Sequence, residues 1–149
     1  MNDNFTTTGN APSLRLKLVR GVFELKGIPL FEGLSAEDLL PIAEAVTRVE
    51  AQPGDVLANE GDDAEEVWLL LDGRVEARRR DTVVTSYVSG DLPGDLALQD
   101  GRHPCTLVVA QPTTLLALRR DDLEELLDLN SDLARNVILR LTERLRQLN

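Results

Sequence analysis

The chain has 149 residues, of which 42% are apolar and only 3% aromatic, with a formal net charge of −10 and a pI near 4.5. That length makes one domain, able to bury roughly 70% of its unfolded surface without disulfides or metal. The acidity excludes a nucleic-acid backbone as partner, because such binding rests on clustered Lys and Arg; the single cysteine, Cys105, excludes an internal disulfide and fits a reducing cytoplasm.

Residues 1–12 are polar and Thr-rich, with neither a basic n-region nor an apolar h-region, and read as a disordered tail, not a signal peptide. Ser13 caps a first helix that places Leu14, Leu18, Val22 and Leu25 on one face and stops at Gly27. Ser35-Ala36-Glu37-Asp38 is a capping box with Asp in place of Glu. The helix it opens carries Leu39, Leu40, Ile42, Ala43 and Val46, and Pro41 predicts a kink or a 3₁₀ start because it removes a hydrogen bond. These N-terminal helices span residues 13–47.

Residues 48–119 have strand character. Runs of Val, Leu and Thr alternate with turn signals at Pro53-Gly54-Asp55, Glu60-Gly61-Asp62, Asp72-Gly73, Ser89-Gly90-Asp91, Asp100-Gly101 and Gln111-Pro112. A turn every ~8–12 residues predicts a sandwich or barrel, and the short segments favour a jelly roll. A helical scrap at 94–99 interrupts it. Arg78-Arg79-Arg80, beside Asp81, reads as a solvated hairpin tip. The acidic run Glu60, Asp62, Asp63, Glu65 and Glu66 lacks EF-hand spacing and reads as a solvated turn. The longest apolar run, Val67 to Leu71, is far too short to cross a bilayer.

Residues 120–149 are helical again. Asp121 or Asp122 begins a turn with Leu123, Leu126 and Leu127, and Ser131 caps a final helix. On that helix Ala134, Ile138, Leu141, Leu145 and Leu148 alternate by four and three, a heptad stripe. The stripe packs on its own barrel or forms a two-helix dimer seam. Leu133 and Val137 add a second apolar flank, so one flank can face the barrel and the other a partner.

Several pieces, in this order, resemble the cyclic-nucleotide-binding domain family over residues ~14–149. They are Leu30-Phe31-x-Gly33-Leu34-Ser35, Pro53-Gly54-Asp55-Val56-Leu57 with Glu60-Gly61-Asp62, and Val67-Trp68-Leu69-Leu70-Leu71-Asp72-Gly73-Arg74-Val75. Gly90-Asp91 with Gly94-Asp95-Leu96-Ala97-Leu98, and Leu115 to Leu123, complete the series. The resemblance implies a mainly β fold with flanking helices (α+β). That is an eight-stranded jelly roll, or double-stranded β-helix barrel, with helices at both ends. It also implies cyclic AMP or cyclic GMP as ligand.

In the family, backbone N–H groups at a helix start hold the cyclic phosphate. The resemblance assigns this cassette to Gly94, Asp95, Leu96, Ala97, Arg102, His103, Pro104, Cys105 and Thr106. Gly94 lets the backbone approach. Asp95 stands for the family's Glu, which accepts a bond from the ribose 2′-OH, and reaches one methylene less far. The family then places an Arg that pairs with phosphate, followed by a small residue whose N–H also donates. Counting back from Thr106, His103 holds the Arg position and Pro104 the next; counting forward from Gly94, Pro104 itself takes the Arg position. Under either count the Arg is absent, and under the first Pro104 offers no N–H. Arg102 lies at the wrong position for the motif. His103 reads as an exposed loop residue before a ligand; protonated near or below pH ~6.5 it would recover part of the charge. Cys105 reads as a small buried residue beginning a strand.

One His and one Cys build no convincing triad or metal cluster, so no enzyme is expected. The function implied is a non-catalytic, cytoplasmic regulatory or interaction module. Its affinity for a cyclic nucleotide is weak or absent. It acts through a protein partner or a homodimer contact in residues 131–149, with no membrane partner. The competing expectation is a working sensor of cyclic AMP, cyclic GMP or cyclic di-GMP that repositions the terminal helix. No helix-turn-helix follows Asn149 in this sequence, so no DNA-reading element is expected.

Overall fold

A computed structural model describes residues 11–148. It falls into two compact units, one made of residues up to Glu44 together with those from Asp128 onward, the other of Ala45–Leu127.

The first unit is helical. Helix α1 (Ala11–Lys26) is already under way two residues before Ser13, so Ser13 is not its cap. Of the tail expected over residues 1–12, residues 11 and 12 are helical and the rest lie outside the described residues. The apolar face turns inward along the helix: Leu14 is exposed, Leu18 and Val22 are half-buried, and Leu25 is buried. A 3₁₀ turn at Pro29–Phe31 follows, with Pro at the position where a missing N–H costs nothing. Helix α2 (Ala36–Ala45) opens on the reciprocal box expected of it. Asp38 N–H donates to Ser35 Oγ at 3.1 Å, and Ser35 N–H to Asp38 Oδ2 at 3.1 Å. Pro41 sits inside α2, which is α-helical from Ala36 onward and has no 3₁₀ start. The carbonyl Pro41 cannot serve, that of Glu37, belongs to an exposed residue that water reaches.

The second unit is one antiparallel sheet of five strands among the described residues: β1 (Thr47–Ala51), β2 (Val56–Ala58), β3 (Glu66–Arg79), β4 (Thr82–Tyr87) and β5 (Thr106–Arg119). The order is β1-β5-β3-β4, with β2 also on β5. The two 14-residue strands each do the work of two. Their mutual register slips between Leu70 and Val75, where Gly73 takes φ +115° opposite Pro112 and Thr113. A side chain at Gly73 would collide with Thr113 Oγ1 and lie 2.6 Å from the Pro112 carbonyl, so only glycine lets the two bent strands cross. Residues 90–93 run beside β3 through bonds from Gly90 N to Leu70 O, Leu70 N to Asp91 O and Trp68 N to Pro93 O. Five strands thus stand where eight were expected, because β3 and β5 each run through a bend and residues 90–93 pair without forming a strand; Pro93, lacking an N–H, ends that pairing.

Alternate residues of the bent strands supply the core. Trp68, Leu70, Val75 and Ala77 of β3 meet Leu107, Val109, Leu115 and Ala117 of β5, together with Ala51, Ala58, Tyr87 and Cys105. Three turns share one design. At Gln52–Asp55, Asn59–Asp62 and Val88–Asp91 the third residue is glycine at φ near +90°, as a type II turn requires. In each the Asp carboxylate reaches back to the first residue's N–H, at 2.8, 3.1 and 2.8 Å. These three Gly-Asp pairs are therefore turn locks, and Asp91, 1% exposed, is such a lock buried at the first turn of the segment after β4. The β3–β4 hairpin closes through two positive-φ residues, Arg80 and Asp81, a geometry that matches strand twist.

Two terminal helices follow, α3 (Arg120–Leu129) and α4 (Ser131–Leu148). Asn130, not Ser131, caps α4: its Oδ1 accepts from Leu133 N at 2.9 Å. Within the first unit, Asn136 Nδ2 donates to the carbonyls of Leu30 and Glu32 at 2.9 and 2.8 Å, tying α4 to the Pro29–Phe31 turn.

Candidate functional site

The candidate site is the excursion between β4 and β5, residues 88–105. Gly94 adopts φ +100°, and a β-carbon there would touch the Trp68 ring at 3.4 Å and His103 Cε1 at 3.7 Å. One 3₁₀ turn, Asp95–Ala97, follows. Two of its N–H groups are used inside the loop, Asp95 N donating to Leu92 O and Ala97 N to Gly94 O, and just beyond it Leu98 N donates to Asp95 O and Gly101 N to Ala97 O. The Asp95 carboxylate is engaged as well, because Tyr87 Oη donates to Oδ1 at 2.7 Å. Tyr87 is buried, so its hydroxyl needs such a partner. Leu96 is exposed and Ala97 buried.

The returning limb runs against the Glu60–Asp63 turn. Arg102 pairs with Asp63 as an isolated antiparallel bridge, and its Nε lies 3.8 Å from Asp63 Oδ1 with both side chains in solvent. Its ion-pair partner is thus the exposed Asp63 carboxylate, not a residue of the 3₁₀ turn. His103 is clamped by its backbone, with N donating to Asp62 O at 3.0 Å and O accepting from Gly61 N at 2.8 Å. Its side chain is 4% exposed and lies tilted against Trp68, ring centroids 6.1 Å apart. His103 is thus not an exposed loop residue. Burial pulls its pKa below the ordinary value of 6.5, against a smaller upward pull from the Asp62 charge. The ring is neutral at physiological pH, and a rescuing positive charge needs more acid than pH 6.5. Pro104 turns its carbonyl to Arg79, whose Nε and Nη2 donate to it at 3.2 and 3.1 Å. Cys105 is buried in the core, as expected, one residue before β5 begins. Thr106 Oγ1 accepts from Glu60 N at 3.0 Å.

The structure thus brings Gly94 and His103 to Trp68, bonds Asp95 to Tyr87, sends Arg102 outward, and leads Cys105 into the core. Sequence reasoning missed Trp68, Tyr87 and Arg79. A signal for the first two was present: they are the chain's one tryptophan and one tyrosine. Arg79 belonged to a run read as a solvated tip, yet Arg78 pairs with Glu76 at 2.6 Å and Arg79 reaches the cassette. On α4 the two apolar flanks separate: Leu133 and Val137 are buried, Ile138 and Leu145 are exposed, Ala134 and Leu141 are intermediate, and the Leu148 side chain lies outside the described residues. Among the described residues no group of three or more His, Cys, Asp or Glu side chains is placed to hold a metal ion. No described helix is long and apolar enough to cross a membrane.

Residues 48–130 match the family model described as cyclic nucleotide-binding domain. The chain belongs to the cyclic nucleotide-binding domain family. It is 32% identical over 114 residues to a cAMP-dependent protein kinase regulatory subunit of Aspergillus fumigatus, covering 74% of this chain and 28% of that protein. It is 30% identical over 130 residues to the cyclic AMP receptor protein of Thermus thermophilus, covering 83% and 60%. Among solved structures, the regulatory subunit of a cAMP-independent protein kinase A from Trypanosoma brucei shares the fold. The TM-score is 0.72 at 24% identity, over 89% of this chain and 47% of that one. The chain spans roughly a quarter of the length of the regulatory subunits it matches. This cyclic nucleotide-binding domain is therefore related to regulatory and binding proteins, and its antiparallel sheet with flanking helices is the family's jelly roll.

Proposed function

We propose that this domain, residues 13–149 with the barrel at 48–119, is a non-catalytic regulatory module. In this reading it binds cyclic nucleotides weakly or not at all and works in the cytoplasm through protein contacts. The observation that carries the reading is the state of the cassette's charged positions. His103 points into the core as a neutral ring, Pro104 has no N–H, and the Asp95 carboxylate is bonded to Tyr87. A charge-assisted bond contributes roughly 1.5–3 kcal/mol, and about 1.4 kcal/mol is tenfold in affinity. Without an Arg–phosphate pair and one backbone donor, a micromolar site becomes millimolar or weaker. Titration calorimetry with cyclic AMP, cyclic GMP and cyclic di-GMP, at about pH 7.5 and pH 6, tests this. Absence of heat at millimolar ligand supports the reading; micromolar binding of any of them overturns it.

The second reading is a working cyclic nucleotide sensor signalling through α4. It is favoured by the similarity to regulatory subunits named as cAMP-dependent and to a protein named as a cyclic AMP receptor. Under either reading the output surface we assign is α4. In this proposal the seam is the heptad stripe Ala134, Ile138, Leu141, Leu145 and Leu148 of the sequence, and the exposure of Ile138 and Leu145 leaves it open to a second copy.

A further inference from the structure

We infer that the loop from Gly94 to Thr106 is held in its folded form by three side-chain contacts within the chain, so that it stays ordered without a nucleotide. The inference rests on the reading that the cassette has lost its ligand clamp, and adds what took over the clamp's structural work. Each contact ties a different part of the loop to a different piece of sheet. Tyr87, the last residue of β4, donates its hydroxyl to Asp95 at 2.7 Å and fixes the 3₁₀ turn. Trp68, in the first limb of β3, packs against the His103 ring and lies where a β-carbon at Gly94 would meet it, so one side chain borders both limbs of the loop. Arg79, the last residue of β3, holds the Pro104 carbonyl with two guanidinium N–H groups. Backbone bonds to Asp62, Gly61 and Leu92 complete the frame.

The Tyr87 hydroxyl is the kind of group a ribose would bring, whereas the Arg79 guanidinium is a cation that no anionic ligand supplies. A hydroxyl donor reaches the carboxylate, and a guanidinium sits at the far end of the loop. Here both come from the sheet. A loop with free donors and an idle carboxylate is ordered only when a ligand supplies partners; a loop whose carboxylate and carbonyl already have partners is ordered in advance.

Amide hydrogen exchange read by mass spectrometry on peptides covering 94–106 tests this, on the whole chain, with and without 1 mM cyclic AMP. Protection without nucleotide, unchanged by the nucleotide, is expected. Tyr87→Phe is expected to raise exchange at 94–101 by about tenfold or more, and Arg79→Ala to do so at 102–106. Arg79 lies on the exposed surface, so its replacement tests the contact even where the buried Tyr87 variant unfolds. Three results overturn the inference: fast exchange of the wild-type loop, wild-type exchange in Arg79→Ala, or more than tenfold added protection from cyclic AMP. Micromolar calorimetric binding to a loop already protected would sink the reading of weak affinity and leave the inference standing. An unprotected loop with no binding would do the reverse.

Discussion

Motif logic makes His103→Arg the obvious repair of the cassette, and the structure argues that the repair fails. Residue 103 is held by its backbone at both ends, so its side chain direction is set by the Asp62 and Gly61 bonds and not by what the side chain prefers. That direction leads inward, to 4% exposure, beside Trp68 and close to Gly94. The site already disfavours positive charge, since burial lowers the pKa of the native imidazole. A guanidinium cannot shed its proton there. Taking an ion out of water still costs several kcal/mol after relaxation, and the charge of Asp62 offsets part of that. We expect a net destabilisation of about 3–5 kcal/mol. A domain of this size loses ~2–4 °C per kcal/mol, so the melting temperature drops by about 6–20 °C. Thermal unfolding followed by circular dichroism, with calorimetry against 1 mM cyclic AMP, reads both consequences: lower stability and no gain in binding. A variant that melts with the wild type and binds cyclic AMP at micromolar concentration would show that the arginine leaves the core and reaches the ligand.

Gly73→Ala combines a φ of +115° with a collision against Thr113 and the Pro112 carbonyl. Displacing Thr113 also breaks its bonds with Arg74 N and Gln111 O. Backbone strain of about 1–3 kcal/mol and roughly 1 kcal/mol per bond sum to about 3–5 kcal/mol in urea unfolding; a loss below about 1 kcal/mol contradicts the crossing-strand account. His103 also gives stability a pH dependence. Its folded pKa lies below the unfolded 6.5, so its contribution is complete above pH ~6.5 and is lost as pH falls through the folded value, because the unfolded chain takes the proton first. Between about pH 7.5 and pH 5 the wild type should therefore lose more stability than His103→Phe, and equal losses would remove His103 as the cause. Ile138→Glu with Leu145→Glu places two charges on the open flank of α4 and is expected to give a monomer in sedimentation velocity without changing the melting temperature of the barrel. A wild-type chain that is already monomeric at high micromolar concentration would exclude the seam.

What could be read from the sequence was what depends on short-range chemistry. Ser35 and Asp38 form their capping box because both partners lie within three residues. The Gly-Asp turns are equally local: glycine supplies the positive φ, and the carboxylate reaches back three residues. The helix start at Ala11, in place of Ser13, and the cap at Asn130, in place of Ser131, show how weakly a lone serine marks a boundary. The long strands were hidden because turn residues such as Gly73 and Pro112 bend β3 and β5 without ending them. The inward turn of His103 was not visible at all. It depends on backbone bonds to Gly61 and Asp62, some forty residues earlier, and a histidine between Arg and Pro carries no mark of that.

Under the proposed reading, the cassette's departures at 95 and 104 are linked to the contacts those residues make. Proline at 104 removes an N–H that would face an anion, and the same residue keeps a carbonyl, which faces a cation. Arg79 takes that carbonyl, so the end of the loop presents an acceptor to a guanidinium where the family's binding mode presents donors to a phosphate. At the other end, Asp95 receives a hydroxyl donor from Tyr87, the same chemical group a ribose would offer. A nucleotide entering this loop must displace a phenol from the carboxylate and find its phosphate beside a carbonyl. Restoring one arginine at 103 corrects neither. Under the proposed reading, tighter binding requires the Tyr87 hydroxyl removed and a backbone N–H returned at 104 together, so Tyr87→Phe with Pro104→Ala is expected to outperform either change alone and His103→Arg. If His103→Arg alone binds at micromolar concentration and the double variant does not, Tyr87 and Pro104 are bystanders and the missing charge is the whole defect.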